Sequence, residues 1–132
     1  MGVKILLAED NDLNAEIAMV QMEELGVRVT RVSDGIEAVK TFAENPPDTF
    51  DMIFMDIMMP KMNGYEATEA IRAMQDRPDA RRIPIIAMTA NAFAEDIHAA
   101  KTIGMNEHIA KPLDLNNLGR TLKKWILGKD VF

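Results

Sequence analysis

Two hydrophobic periods alternate along the chain, and that alternation restricts the fold more than any other feature. Short runs rich in β-branched and apolar residues stand at Lys4–Leu7, Val27–Val32, Met52–Met55, Ile85–Met88 and Glu107–Ala110. The first, third and fourth are almost wholly apolar, as parallel strands buried on both faces must be. The second alternates and the fifth is mixed, so both read as sheet edges. Between the runs lie segments of helical period. Ile17, Ala18, Met22 and Leu25 share one stripe, which Gly26 stops. Asp34 can cap a helix carrying Ile36, Val39, Phe42 and Ala43 on one side. Asn63 can cap a third, with Ala67, Ile71 and Met74 in line. A fourth spans roughly Phe93 to Ile103 and stops at Gly104. The last runs from the cap candidate Asp114 through Leu115, Leu118, Leu122 and Trp125, ending near Gly128. Strands alternating with helices predict an α/β fold with a parallel sheet covered on both faces. If the first and third strands are neighbours, it is the flavodoxin-like, doubly wound (βα)5 unit with a five-stranded sheet in the order 2-1-3-4-5.

At 132 residues, with no internal repeat or linker, residues 1–132 read as one domain. The absence of cysteine excludes disulfides and thiolate metal sites and suits a reducing, cytoplasmic setting. No apolar run approaches the ~20 residues of a membrane helix, so no membrane insertion is expected. "MGVKIL" places Leu6 where a myristoylation signal needs Ser or Thr. The net charge of -6 argues against direct nucleic-acid binding. The basic cluster "RPDARR", Arg77 to Arg82, reads as a solvated loop and the chain's one long connection. The run "MIFMDIMMPKM" could suggest thioether copper ligands. Alternate strand residues face opposite ways, however, and Met is a common core filler, so packing is the expectation.

Ligands of an open parallel sheet bind beyond the carboxyl ends of its strands, where the strand order reverses. Polar residues that no core needs stand at those ends: Glu9 and Asp10 after the first run, Asp56 after the third, Thr89 after the fourth and Lys111 after the fifth. Each has a plainer reading. Glu9 and Asp10 could serve a helix dipole, Thr89 could be a cap, and Asp56 and Lys111 could be ordinary surface groups. Their arrival at one end of the sheet favours a site. A calcium loop of the EF-hand type is excluded, because its obligatory glycine and final Glu are replaced by Ala15 and Gln21. Three converging carboxylates repel one another, and a hard cation relieves that. Mg2+ fits best, with Mn2+ as the alternative, because it needs only one or two protein carboxylates and keeps its waters. Carboxylate, Mg2+, lysine and hydroxyl are together the parts for handling a phosphoryl group.

These residues, with "MDIMMPKMNG" around Asp56, "MTANA" at Thr89 and "KP" at Lys111, resemble a response-regulator receiver domain. This is the phosphoacceptor module of two-component signalling, and the likeness is strongest to receivers of hybrid sensor histidine kinases. The resemblance implies that Asp56 accepts phosphate from a histidine kinase or a histidine phosphotransfer protein. Asp10, Asp56 and the Met58 carbonyl would hold Mg2+, with Glu9 acting partly through water. Lys111 would contact the phosphoryl group, and its bond to Pro112 would be cis. Thr89 would carry the signal to a downstream protein or an attached output domain. Asn14, Met58 and Asn91 would line the mouth of the site. One position departs from the family: His108 stands where an aromatic switch residue is usual, and it is the candidate switch here, whereas His98 is expected to be a bystander. The resemblance also implies a module that catalyses only its own phosphorylation and dephosphorylation. A phosphohydrolase of the haloacid-dehalogenase type would need a second Asp at the position of Met58, and a receiver-like module that works without phosphate would not need the full acidic set.

Overall fold

The computed structural model describes residues 2–90, 94–111 and 113–126, with the backbone alone for 94–96. Eleven elements follow one another: β1 (Lys4–Ala8), α1 (Asp12–Glu24), β2 (Arg28–Val32), α2 (Gly35–Glu44), β3 (Met52–Asp56), α3 (Gly64–Arg72), α4 (Pro78–Arg82), β4 (Ile85–Thr89), α5 (Ala94–Ile103), β5 (Glu107–Ala110) and α6 (Leu115–Ile126). The five strands form one sheet in the order β2-β1-β3-β4-β5, and all four ladders are parallel. The alternating and mixed runs are its edges, as their composition requires.

The sheet is covered on both faces, and the two-residue strand period divides the side chains between two cores. On β3, Ile53 and Met55 join the core built with α2, α3 and α5, while Met52 and Phe54 join the one beneath α1 and α6. The methionines at 52 and 55 therefore point to opposite sides and cannot converge on a metal. Every β3 residue is buried, and each large apolar side chain there contributes roughly 1.5–3 kcal/mol.

Local signals set most of the helix starts. Asn11 accepts from the Asn14 amide, Asp34 from Glu37, and Asn63 pairs reciprocally with Glu66 in a capping box. The Asp114 side chain accepts from the Asn116 amide at the head of α6.

Two sequence expectations fail. "RPDARR" is not a solvated loop, since Pro78–Arg82 forms the short helix α4. Arg77 folds inward onto Asp79, with both nitrogen–oxygen distances at 3.1 Å. Proline at the first helical turn and a nearby buried counter-charge explain the helix. The apolar stripes are also rotated from those read. Ile17, Ile36 and Ala43 are exposed, and Ala15 and Ala38 take the inward positions. Small residues fit where a helix lies close on the sheet, and the branched side chains are turned outward.

Candidate functional site

Three strands deliver charge to the carboxyl edge of the sheet. β3 ends in Asp56 with its side chain buried, and β1 leads into buried Glu9 and exposed Asp10. Carboxylate oxygens of Glu9, Asp10 and Asp56 all lie within 4.8 Å of one another. β5 brings Lys111, whose Nζ is 2.7 Å from Glu9 Oε1 and 2.9 Å from Asp56 Oδ2. Three carboxylates thus face one ammonium.

The electrostatics follow from that imbalance. Burial pushes the Asp56 carboxyl up to about 7; the Lys111 hydrogen bond opposes this, and the neighbouring Glu9 carboxylate adds to it. Burial works against the charge of Lys111, but hydrogen bonds to Glu9 and Asp56 hold its ammonium above the ordinary lysine range. The donor set is all oxygen, crowded and undercompensated, and these are the conditions under which a hard divalent cation is favoured. The residues present fit Mg2+.

The surrounding backbone is closely held. The Met58 amide donates to Asp56 Oδ1 at 3.3 Å, and the Met58 side chain stands out at 79% exposure. After β3 the chain turns back so tightly that the Gly64 amide donates to the Ile57 carbonyl at 2.9 Å. A Cβ at Gly64 would collide with the Asp56 carbonyl, so only glycine allows this approach. Thr89 ends β4, half-buried, and its carbonyl accepts from the Lys111 amide at 2.9 Å. A small cleft opens beside the charges, with Glu9, Asn14, Ile17, Met88, Lys111 and Leu113 among its walls.

The structure brings Glu9, Asp10, Asp56 and Lys111 together, sets Thr89 one strand away and lines the adjoining cleft with Asn14. His108 lies on edge strand β5, half-buried, in register with Ala87. Asn91 and Pro112, and with Pro112 the expected cis bond, lie outside the described residues. Two supporting residues escaped the sequence reading. Gln21 Nε2 donates to the Leu113 carbonyl at 3.1 Å and ties the loop after Lys111 to α1. Arg31 of β2 forks onto the Glu9 carbonyl. Both act on backbone oxygens, which leave no mark in side-chain patterns.

A family model for the response regulator receiver domain matches residues 5–123. The sensor protein GacS of Pseudomonas syringae pv. syringae is 33% identical over 122 residues, covering 92% of this chain and 13% of that protein. The chain spans 7 to 15% of the length of such curated relatives. The receiver domain of the sensor histidine kinase PA1611 from Pseudomonas aeruginosa PAO1, solved with magnesium coordinated in its active-site cleft, superposes with a TM-score of 0.83. It is 44% identical and covers 96% of this chain and 98% of that one. A chain from the Saccharomyces cerevisiae co-crystal of the phosphotransfer protein Ypd1 with the Ssk1 receiver domain gives 25% identity and a TM-score of 0.83, covering 97% of this chain and 91% of that one. Family match, strand order and acidic edge agree: the chain belongs to the response regulator receiver domain family.

Proposed function

We propose that Asp56 is a phosphoacceptor that takes its phosphoryl group from a phosphohistidine, on a histidine kinase or a histidine phosphotransfer protein, in a Mg2+-dependent reaction. The observation that carries this is the charge count at the site: Glu9, Asp10 and Asp56 within 4.8 Å of one another, with one lysine among them. The relatives lend support. One is a receiver holding magnesium, and another was crystallised with a histidine phosphotransfer protein.

An ionised Asp56 oxygen attacks phosphorus. The new O–P bond forms as the P–N bond to the donor imidazole breaks, and the imidazole keeps the electron pair. Asp10, Asp56 and the Met58 carbonyl would hold Mg2+, with Glu9 beside them; the ion supplies positive charge to the crowded carboxylates and to the phosphoryl oxygens. Lys111, already hydrogen-bonded to Asp56, turns to a phosphoryl oxygen as the carboxylate becomes an acyl phosphate. The acyl phosphate carries roughly 1.5–2 negative charges where the carboxylate carried one, and the Thr89 hydroxyl is drawn toward it. His108 shifts with Thr89 and passes the change to a downstream protein or an attached output domain. On this reading the domain catalyses only its own phosphorylation and dephosphorylation.

Intact-mass measurement after incubation with Mg2+ and a small acyl phosphate tests the proposal. One labile phosphoryl adduct is expected in the wild type and none in Asp56→Asn. A wild type that forms no adduct, or an adduct that survives the substitution, would sink it.

A further inference from the structure

We infer that Arg31 is a positioning residue for the metal site, acting through the backbone of the acidic pair. Arg31 Nε and Nη2 donate to the single carbonyl of Glu9 at 3.0 and 2.7 Å, and Nη1 donates to Asp12 Oδ1 at 3.0 Å. The neighbouring strand residue Val32 accepts the Glu9 amide at 3.1 Å. Glu9 Oε2 accepts from the Asn11 amide at 3.1 Å, and Oε1 meets Lys111. Every polar group of Glu9 is thereby held, and two consecutive β2 residues hold its backbone.

The consequence falls on Asp10. A peptide unit is planar, so fixing the Glu9 carbonyl also fixes the amide nitrogen and Cα of the next residue. The Asp10 side chain is exposed, so the backbone does more than packing to orient it. Its approach to Asp56 depends on the backbone that carries it, and Arg31 holds that backbone. Without the fork, Asp10 would be ordered only when a cation binds, and that ordering would be subtracted from affinity.

The Arg31 charge works the other way, since a cation near the site repels Mg2+. Arg31 is part-exposed and already paired with Asp12, so solvent and the partner carboxylate damp that repulsion. Geometry therefore outweighs charge. Lysine cannot substitute fully, because an ammonium lacks the planar fork that grips one oxygen with two donors.

The inference rests on the Mg2+ reading above, and the test separates the two. Mg2+ is titrated into the whole chain while the Asp10 and Asn11 amides are followed by NMR, with thermal unfolding recorded in parallel without metal. Arg31→Gln is expected to weaken Mg2+ binding about 10-fold and Arg31→Lys by less. Asp12→Asn, which leaves the Glu9 carbonyl clamped, should stay within a factor of two. In metal-free protein, Asn11 amide exchange should quicken in Arg31→Gln and not in Asp12→Asn. An Arg31→Gln affinity equal to or tighter than wild type would overturn the inference, as would equal losses in Arg31→Gln and Asp12→Asn. A wild type that binds no Mg2+ would overturn the metal reading itself, and this inference with it.

Discussion

Asp79 and Asp56 are both buried carboxylates beside a basic side chain, at opposite ends of one sheet. Asp79 has more donors than it needs. Arg77 grips both of its oxygens, the Asp48 amide adds a third bond at 3.0 Å, and the guanidinium stacks 4.6 Å from the Phe42 ring centre. Burial opposes its charge, but the Arg77 hydrogen bonds prevail and hold it below the ordinary carboxylate range. Asp56 shares its one lysine with Glu9 and is pushed up to about 7. The same fold thus builds a closed ion pair at one end and a charge-deficient cluster at the other. Only the second has reason to bind something.

The largest test breaks the closed pair. Arg77→Ala leaves Asp79 buried and uncompensated, at a cost of roughly 3–5 kcal/mol, so Tm should fall by about 10–18 °C at neutral pH. A fall under ~5 °C would mean that the closed pair contributes little. A medium effect comes from the open cluster. A carboxyl with a raised native pKa contributes stability that is whole below the unfolded value of 3.8 and is lost as pH rises through about 7. In chelator-treated protein, Asp56→Asn should therefore melt about 4–8 °C above wild type at pH 8 and nearly level with it at pH 4. A gain that did not grow with pH would contradict the charge deficit. The smallest effect belongs to a longer pair whose basic partner is exposed while Asp34 is buried. Lys61 Nζ lies 3.8 Å from Asp34 with its own side chain 69% exposed, so Lys61→Ala should move Tm by less than about 2 °C. A larger shift would show that an exposed cation can matter to a buried carboxylate as much as a buried one does.

The strands and the acidic edge could be read from the sequence for one reason. A buried central strand must be apolar, so Asp56 at its end stands out against Met52–Met55. Arg31, Gln21 and Arg77 could not be read in the same way. Each meets a backbone carbonyl, of Glu9, Leu113 and Phe42 respectively, and every residue has a carbonyl, so no local pattern names the one that will be met. The rotated stripes of α1 and α2 have a related cause. Helical period shows which residues share a face, but not whether Ile17 or Ala15 lies closest to the sheet. The distance of each helix from the strands decides that, and it is a property of the assembled layers.

The topology has a kinetic consequence as well. Each ladder joins strands separated by a helical crossover, and Asp10 and Asp56 lie forty-six positions apart in the chain. In the extended polymer their charges are too far apart and too well screened to repel. The repulsion arises only once β1 and β3 have docked and the carboxyl edge has closed. Such a penalty slows folding only as far as the nucleus already pairs β1 with β3, and the remainder appears as faster unfolding. A cation held between Asp10 and Asp56 would remove that penalty, and the folded molecule would then last longer before unfolding.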